Sequence, residues 1–298
     1  MALACEQTTA FDREIAFSRT LGLVTRDELA ALERKTVAIA GLGGVGGSHL
    51  ITLTRLGVGG FNLAEFDTFS LENFNRQRGA KISTLGKPKL DVMEDAARQI
   101  NPELRIRRFP RGLTPENMDE FLRGVDVYVD SLDFFAFEIR ALVFKACYER
   151  GIPALTAGPL GMGVALLNFM PGGMTFADYI NWKDSDSEIV KAIKFLVGVA
   201  PSLPHRHALV DRSYVDLHAR KGPSTPMGCE LCAGFAGTEV LKMLLKRGKV
   251  RAVPHSLHFD AYLNKLYSRY IWLGNRNPVQ RMKIAYVKRT LGNKRPAS

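Results

Sequence analysis

The chain has 298 residues, 46% of them hydrophobic and 24% charged, enough for one large α/β domain and too apolar for a chain disordered throughout. Its 41 Lys and Arg exceed its 30 Asp and Glu, a formal charge of +11, which suits a nucleotide, RNA, an acidic protein or lipid headgroups without choosing among them. No apolar run approaches the roughly 20 residues that span a bilayer, the opening MALACEQTTAFDRE holds acids and no basic leader, and four cysteines make no disulfide framework, so a cytoplasmic protein without a secretory signal is expected.

In chain order, Thr25 with Glu28 predicts a capping box for a short helix ending near Arg34. TVAIAG (36–41) predicts a buried strand, followed by a glycine-rich turn and a helix to about Leu56. GGFNLAEFD (59–67) reads as a second strand, Pro88 opens a helix to Ile100, and LRIRRF (104–109) returns as a strand. Thr114-Pro115-Glu116 predicts a helix start, because Thr caps and Pro fits the first helical position. VDVYVD (125–130) is a strand, Phe135–Arg150 a helix and IPALTA (152–157) a strand, which gives the alternation of βαβ units. The rhythm then breaks. GVALLNF (163–169) follows without an intervening helix, and 175–228 holds one helix (187–198) among several prolines. A helix from Glu230 to Lys246 and a strand pair within 256–273 come next, then a basic tail from Asn275. The expected architecture is one Rossmann-like, doubly wound α/β domain. Its nucleotide-binding half (1–170) is mostly parallel, 171–228 forms a crossover or lid, and 229–298 supplies a helix, strands and the tail.

GLGGVGG (41–47) directly follows a strand and directly opens a helix, the context in which a GxGxxG loop binds phosphate. Gly41, Gly43 and Gly46 permit a tight turn and close backbone approach, and the helix N-terminus favours negative charge. At the end of the second strand, Glu65 and Asp67 can accept from a ribose diol. A dinucleotide would satisfy this much. Beyond it, Asn73, Asn75, Arg76, Gln77 and Lys89 gather cations and amides that a triphosphate and its leaving pyrophosphate require. VDSLD (129–133) ends a strand with Asp130 and Asp133, and a carboxylate at that edge can share Mg²⁺ with phosphate oxygens. Read singly, Arg76 and Lys89 are surface cations and Asp133 is a helix cap.

The order GxGGVG, acidic strand end, NxNRQ, GxPK and DxxD resembles the ubiquitin-activating-enzyme-like superfamily, whose bacterial members include ThiF, MoeB and HesA proteins and tRNA threonylcarbamoyladenosine dehydratases. The likeness covers about residues 10–170, including INPELRIRRF, TPENMDEFL and ACYERGIPALTAG. It implies adenylation of a carboxylate by Mg-ATP with release of pyrophosphate. It further implies that Gly41, Gly43, Gly44 and Gly46 line the phosphates and that Glu65 holds the ribose. Arg76 and Lys89 would stabilise phosphate charge with support from Asn73 and Gln77, and Asp133 would bind Mg²⁺. Arg19, in FSRT, resembles an arginine that reaches the active site across a homodimer. Two departures stand out: Phe134 and Phe135 follow Asp133 where Asn is usual, and Glu65 replaces Asp.

Many members of the superfamily hold zinc with two CxxC pairs, whereas here Cys229 and Cys232 form a single pair, so an intrachain zinc site is not expected unless a dimer, His205 or His207 completes it. Both cysteines fall at a predicted helix start. They read either as a thiol nucleophile or as small residues at a close helix contact. Cys147 reads as core, and Phe134, Phe135 and Phe137 as core or dimer contact. His255 and His258 read as satisfied or solvated imidazoles, and the basic tail as solvated surface or a nucleic-acid contact. The leading reading is an ATP-dependent adenylyltransferase acting on the C-terminal glycine of a ubiquitin-like or sulfur-carrier protein. The alternatives are a dehydratase-like enzyme acting on tRNA, a nicotinamide oxidoreductase, and a non-catalytic nucleotide-binding module.

Overall fold

The computed structural model describes residues 11–291; Cys5, Lys294 and Arg295 lie outside them. A helical turn α1 (Arg13–Ala16) and a 3-10 turn carrying Arg19 lead to α2 (Arg26–Arg34). Both halves of the expected capping box form, with Glu28 N–H donating to Thr25 Oγ1 at 3.1 Å and Thr25 N–H to Glu28 Oε2 at 2.8 Å. The alternating half then runs β1 (Thr36–Ala40), α3 (Gly44–Arg55), β2 (Gly60–Ala64), α4 (Lys89–Arg98), β3 (Arg105–Phe109), α5 (Met118–Phe121), β4 (Val127–Asp130), α6 (Phe137–Glu149) and β5 (Ala154–Leu160). After a hairpin into β6 (Gly163–Phe169) come α7 (Phe176–Ile180), α8 (Glu188–Val199), α9 (Pro226–Leu245), β7 (His255–Asp260), β8 (Lys265–Tyr270) and α10 (Pro278–Leu291).

These strands form one eight-stranded sheet in the order β3-β2-β1-β4-β5-β6-β7-β8. Neighbours from β3 to β5 are parallel, and those from β5 to β8 antiparallel. The chain leaves β1 toward β2 on one side and later returns to place β4 on the other, so a crevice opens beyond the carboxyl ends of β1 and β4. Strand parity separates two cores. Val37, Ile39, Phe61 and Leu63 face α3, α4 and α9, where Leu50, Met93, Cys232 and Val240 meet them. On the other face the small Ala38, Ala40 and Ala64 leave room for Tyr128, Phe144, Phe176 and Phe195, with Phe144 and Phe176 stacked at 4.6 Å. Among the described residues no helix is long and apolar enough to cross a membrane.

Three local expectations fail, each for a local reason. Thr114-Pro115-Glu116 makes a turn, and α5 begins only at Met118. Asn117 takes the Thr114 N–H on Oδ1 at 2.9 Å and donates to Gly112 O at 2.8 Å, so a side chain outbids the first helical turn. The Thr-Pro signal acts instead at Thr225-Pro226, where Gly228 N–H donates to Thr225 Oγ1 at 3.2 Å and α9 begins four residues before Glu230. Finally, most of the expected tail is α10. Ile284 and Val287 pack against Ile193 and Val197 of α8, and the buried Gln280 donates to Val197 O at 3.1 Å.

Candidate nucleotide site

The loop joining β1 to α3 lies at the crevice. Gly41 has φ +89°, and a Cβ there would overlap the Ser131 carbonyl oxygen; a Cβ on Gly46 would overlap Gly41 O. Glycine at both positions therefore lets the loops after β1 and β4 pack backbone to backbone. A Cβ on Gly44 would lie 2.9 Å from Cys229 Sγ and 3.5 Å from Arg76 Cγ, and one on Gly43 would lie 3.5 Å from Gln77 Nε2. The first turn of α3 carries no acid and Gly43 provides no side-chain cap, so its free N–H groups face the crevice as an anion site.

Glu65 stands just past β2, not within it. Its Oε2 accepts from Leu42 N–H at 2.7 Å, and Oε1 accepts from Phe66 and Asp67 N–H at 2.8 and 3.0 Å. This carboxylate pins the glycine loop to the end of β2 and keeps about one of its four acceptor positions free. Asp67 takes the buried Lys89 ammonium on Oδ2 at 2.5 Å, while Lys89 N–H donates to Asp67 O at 2.9 Å. Burial alone would raise the Asp67 carboxyl, but the hydrogen bonds from Lys89 and Thr68 and the Lys89 charge bring it below the usual range. Lys89 is thus linked to the glycine loop through Asp67 and Glu65.

Asn73 folds the next turn. Its Oδ1 accepts from Ser70 N–H at 3.0 Å, and its carbonyl accepts from Arg76 and Gln77 N–H at 3.2 and 2.9 Å. Arg76 is steadied by Glu72 O and Asn75 Oδ1 at 3.0 and 2.9 Å. Gln77 Oε1 is buried without a hydrogen-bond partner. An orphaned acceptor beside Gly43 fits a site that a hydrogen-bonding ligand completes.

After β4, Asp130 and Arg140 form a buried ion pair, Nε to Oδ2 at 2.8 Å. Arg140 also donates to Leu132 O at 2.8 Å, Asp133 O at 2.9 Å and Phe134 O at 3.1 Å, which fixes the loop bearing Asp133. Asp133 is exposed and accepts from Phe135 N–H on Oδ1 at 2.9 Å. It therefore caps the approach to α6 with one oxygen, in the loop that follows the carboxyl end of β4. One carboxylate plus phosphate oxygens is a donor set that suits Mg²⁺, so the residues fit that ion. Among the described residues no group of three or more His, Cys, Asp and Glu side chains could hold a metal by itself.

The crossover closes over this arrangement. Asn75 Nδ2 donates to Ser224 O at 3.1 Å, and Arg220 lies 5.9 Å over the Phe135 ring, so residues 220–225 run between the Asn75 turn and the Asp133 loop. Arg220 pairs with Glu188 at 2.6 Å; that hydrogen bond and its charge, with Asp133 and Glu138 nearby, hold the guanidinium above its usual range. Glu230 ties α9 to the site by accepting from Ser48 Oγ at 3.0 Å and pairing with Arg78 at 2.7 Å. Arg140, Arg220 and Glu230 lie outside the glycine–Arg–Lys–Asp pattern. An arginine on the apolar FEIRALVF face was the available signal for Arg140, whereas nothing in HARKG singles out Arg220.

The thiols divide. Cys232 belongs to the core under the sheet, and burial pushes its thiol well up, which corrects its reading as a nucleophile: it is a packing residue. Cys229 touches the glycine loop and Arg76, yet burial raises its thiol too, against the hydrogen bond from Ser224 and the Arg76 charge. Cys147 is core, as expected. His258 is neither satisfied nor solvated: it is buried, both ring nitrogens and Asp260 Oδ2 lack partners, and His205 stacks on it at 6.1 Å. Burial lowers both imidazoles to about 4.

Arg19 stays apart. Its turn is anchored by Phe17, which with Leu29 borders Gly57 beyond the last turn of α3. Twelve residues of helix, about 18 Å, separate that end from the glycine loop. Within one chain Arg19 does not join the site.

Fold, glycine loop and surrounding charges define a Rossmann-like α/β protein with a candidate nucleotide site at the carboxyl ends of β1 and β4. More narrowly, the ThiF family pattern matches residues 17–281, and the chain belongs to that family. It is 34% identical over 142 residues to a tRNA threonylcarbamoyladenosine dehydratase of Bacillus subtilis (strain 168), covering 47% of this chain and 55% of that protein. To a molybdopterin-synthase adenylyltransferase of Haemophilus influenzae it is 29% identical over 171 residues, covering 56% of this chain and 70% of that one. The chain spans about half the length of the first of the curated relatives it matches. Among solved structures, PaaA superposes with a TM-score of 0.67 at 17% identity, covering 89% of this chain and 85% of that chain. Escherichia coli MccB with ATP superposes at 0.63 and 19% identity, covering 89% and 72%.

Proposed function

We propose that this protein is an ATP-dependent adenylyltransferase that activates a carboxylate, with the C-terminal glycine of a small ubiquitin-like or sulfur-carrier protein as its substrate. The observation that carries the reading is Arg76 laid over Gly44, beside the orphaned Gln77 amide oxygen at Gly43. A cation over the phosphate loop has a task with a triphosphate and little with a dinucleotide.

In this reading the free N–H groups at the start of α3 receive phosphate oxygens, and the remaining acceptor capacity of Glu65 receives a ribose hydroxyl. A carboxylate oxygen entering beneath residues 220–225 attacks the α-phosphorus, the bond to the bridging oxygen breaks, and pyrophosphate leaves with that electron pair. Arg76 meets the charge that grows on the phosphates, where a preorganised cation in a shielded site is most effective. Lys89, held through Asp67, adds positive potential from the far side of Glu65. Asp133 would hold Mg²⁺, which supplies neutralising charge for the leaving pyrophosphate. Arg19 would enter from the partner of a homodimer.

The test is calorimetric binding of Mg-ATP and NAD to the wild type and to Asp133→Ala, followed by carboxylate-dependent pyrophosphate exchange with Lys89→Ala. Mg-ATP binding weakened in Asp133→Ala, with exchange lost in Lys89→Ala, is expected. NAD binding in place of Mg-ATP, or exchange intact in Lys89→Ala, sinks the proposal.

A second reading keeps the activation chemistry and takes a modified tRNA as substrate. It is favoured by the 34% identity to the Bacillus subtilis tRNA threonylcarbamoyladenosine dehydratase. It requires tRNA affinity that falls steeply with salt, and tRNA binding indifferent to salt would exclude it.

A further inference from the structure

Charge is segregated along this chain. Residues 240–298 hold 14 of the 41 Lys and Arg and one of the 30 acids, Asp260, which is fully buried; the preceding 239 residues keep the other 27 cations and 29 acids. From 261 to 298 there is no Asp or Glu at all. The fold gathers part of this stretch on one surface. Lys283 Nζ donates to Pro201 O at 2.5 Å and Arg269 Nε to Ser202 Oγ at 3.3 Å. Arg251 meets Ser268 on β8 at 3.1 Å.

α10 carries two apolar stripes. Gln280, Ile284 and Val287 face α8. Val279, Met282 and Tyr286, spaced i, i+3 and i+7, form a separate stripe that is 55–71% exposed, and Trp272 and Leu273 are exposed just before the helix. At 100° per residue the stripes lie about a third of a turn apart. The second stripe therefore packs on nothing in the described chain, while the half-buried Lys283 and the exposed Arg289 flank it, one on each side.

We propose that this stripe, with Trp272 and Leu273 at its start, docks the protein on the anionic surface of a lipid bilayer. Aliphatic side chains gain by leaving water for an apolar phase, which a nucleic acid does not offer Val279, Met282 and Leu273. A second copy would bring two strongly basic segments together, since 261–298 holds no acid and only Asp178 meets Arg276 just before the helix. Protein interfaces are depleted in Lys, yet Lys283 and Lys288 sit on this helix. A bilayer answers all three features: Met282 and Val279 enter the acyl boundary, Trp272 and Tyr286 suit the headgroup level, and the cations reach lipid phosphates. The proposal stands independently of the adenylation reading.

The test is flotation of the full chain with phosphatidylcholine vesicles, with and without phosphatidylserine, followed by Trp272 fluorescence. Binding only to the anionic vesicles, a blue shift in emission and weakening by salt are expected. Arg289→Ala should weaken binding by roughly fivefold. The double variant Val279→Glu, Met282→Glu should abolish it, with the melting temperature unchanged because both side chains are exposed. Absence of binding to anionic vesicles overturns the proposal, as does binding unaffected by that double variant. An oligouridylate bound through these same residues in place of vesicles overturns it in favour of nucleic acid.

Discussion

Replacing Arg140 by methionine removes one partner of a fully buried ion pair and three hydrogen bonds to the backbone of the Asp133 loop. The Asp130 charge, left unpaired in the interior, costs roughly 3–5 kcal/mol, and the stranded carbonyls of Leu132, Asp133 and Phe134 add about 0.5–1.5 kcal/mol each where water cannot reach them. These losses share one side chain and do not add fully, so the expected destabilisation is about 4–6 kcal/mol. That is a large part of the whole stability of a domain. The informative comparison is therefore with Asp130→Asn, Arg140→Met, which removes the unpaired charge and should recover about 2 kcal/mol or more of the loss. Urea unfolding followed by circular dichroism gives both values. Calorimetric titration of the surviving double variant should show weaker Mg-ATP binding, because the Asp133 loop has lost its brace. A single-variant loss below about 1 kcal/mol, or a double variant no more stable than the single, would refute the assignment of this pair as the support of the loop.

Gly41→Ala and Gly46→Ala each drive a methyl group into a backbone oxygen, so nucleotide binding by calorimetry should drop at least tenfold; Gly22→Ala, in open space, is the comparison for positive-φ strain alone. Cys229 should react with iodoacetamide much more slowly than a free thiol at pH 7.5, since burial holds it protonated, and Mg-ATP should slow it further because the thiol abuts Gly44; alkylation at the free-thiol rate would contradict the geometry. His205 and His258 titrate near 4 in the fold against 6.5 unfolded. The unfolded chain thus binds more protons between these values, and the stability associated with neutral imidazoles is present above pH 6.5 and lost as pH falls toward 4. After burial, the His258 and Arg206 charges lower His205 further, while the Asp260 charge opposes burial at both rings. Urea midpoints at pH 5 and 7 should therefore differ, and His258→Gln should narrow the gap; an unchanged gap would move the acid sensitivity elsewhere.

Much of the site was legible from the order of residues, because its parts follow strand ends. A glycine loop after β1, an acid after β2, the Asn73–Gln77 turn and an acid after β4 fall on one edge of any parallel sheet wound this way. What could not be read was how those residues are held. Glu65 presents as a ribose acceptor in sequence, yet three backbone N–H groups engage it. Lys89 presents as a free cation, yet Asp67 holds it. Such partners are set by loop paths no local pattern encodes. Thr114-Pro115 and Thr225-Pro226 carry the same helix-start signal, and the Asn117 side chain, bonded to Thr114 and Gly112, holds the first as a turn while the second opens α9.

The sequence by itself determined the alternation of strands and helices, the glycine loop and the set of charged residues around it, because periodicity, capping and turn chemistry are local. Tertiary structure decided the rest. It sank Cys232 into the core while leaving Cys229 against Gly44, although the two stand three residues apart on one helix. It paired Arg140 with Asp130 beneath the Asp133 loop and drew Arg220 across the mouth from 87 residues beyond Asp133. It also folded the basic tail into α10, burying one apolar stripe against α8 and leaving the other in water. Each of these outcomes depends on which surfaces meet, and burial and charge pairing act only once the sheet has brought distant segments together.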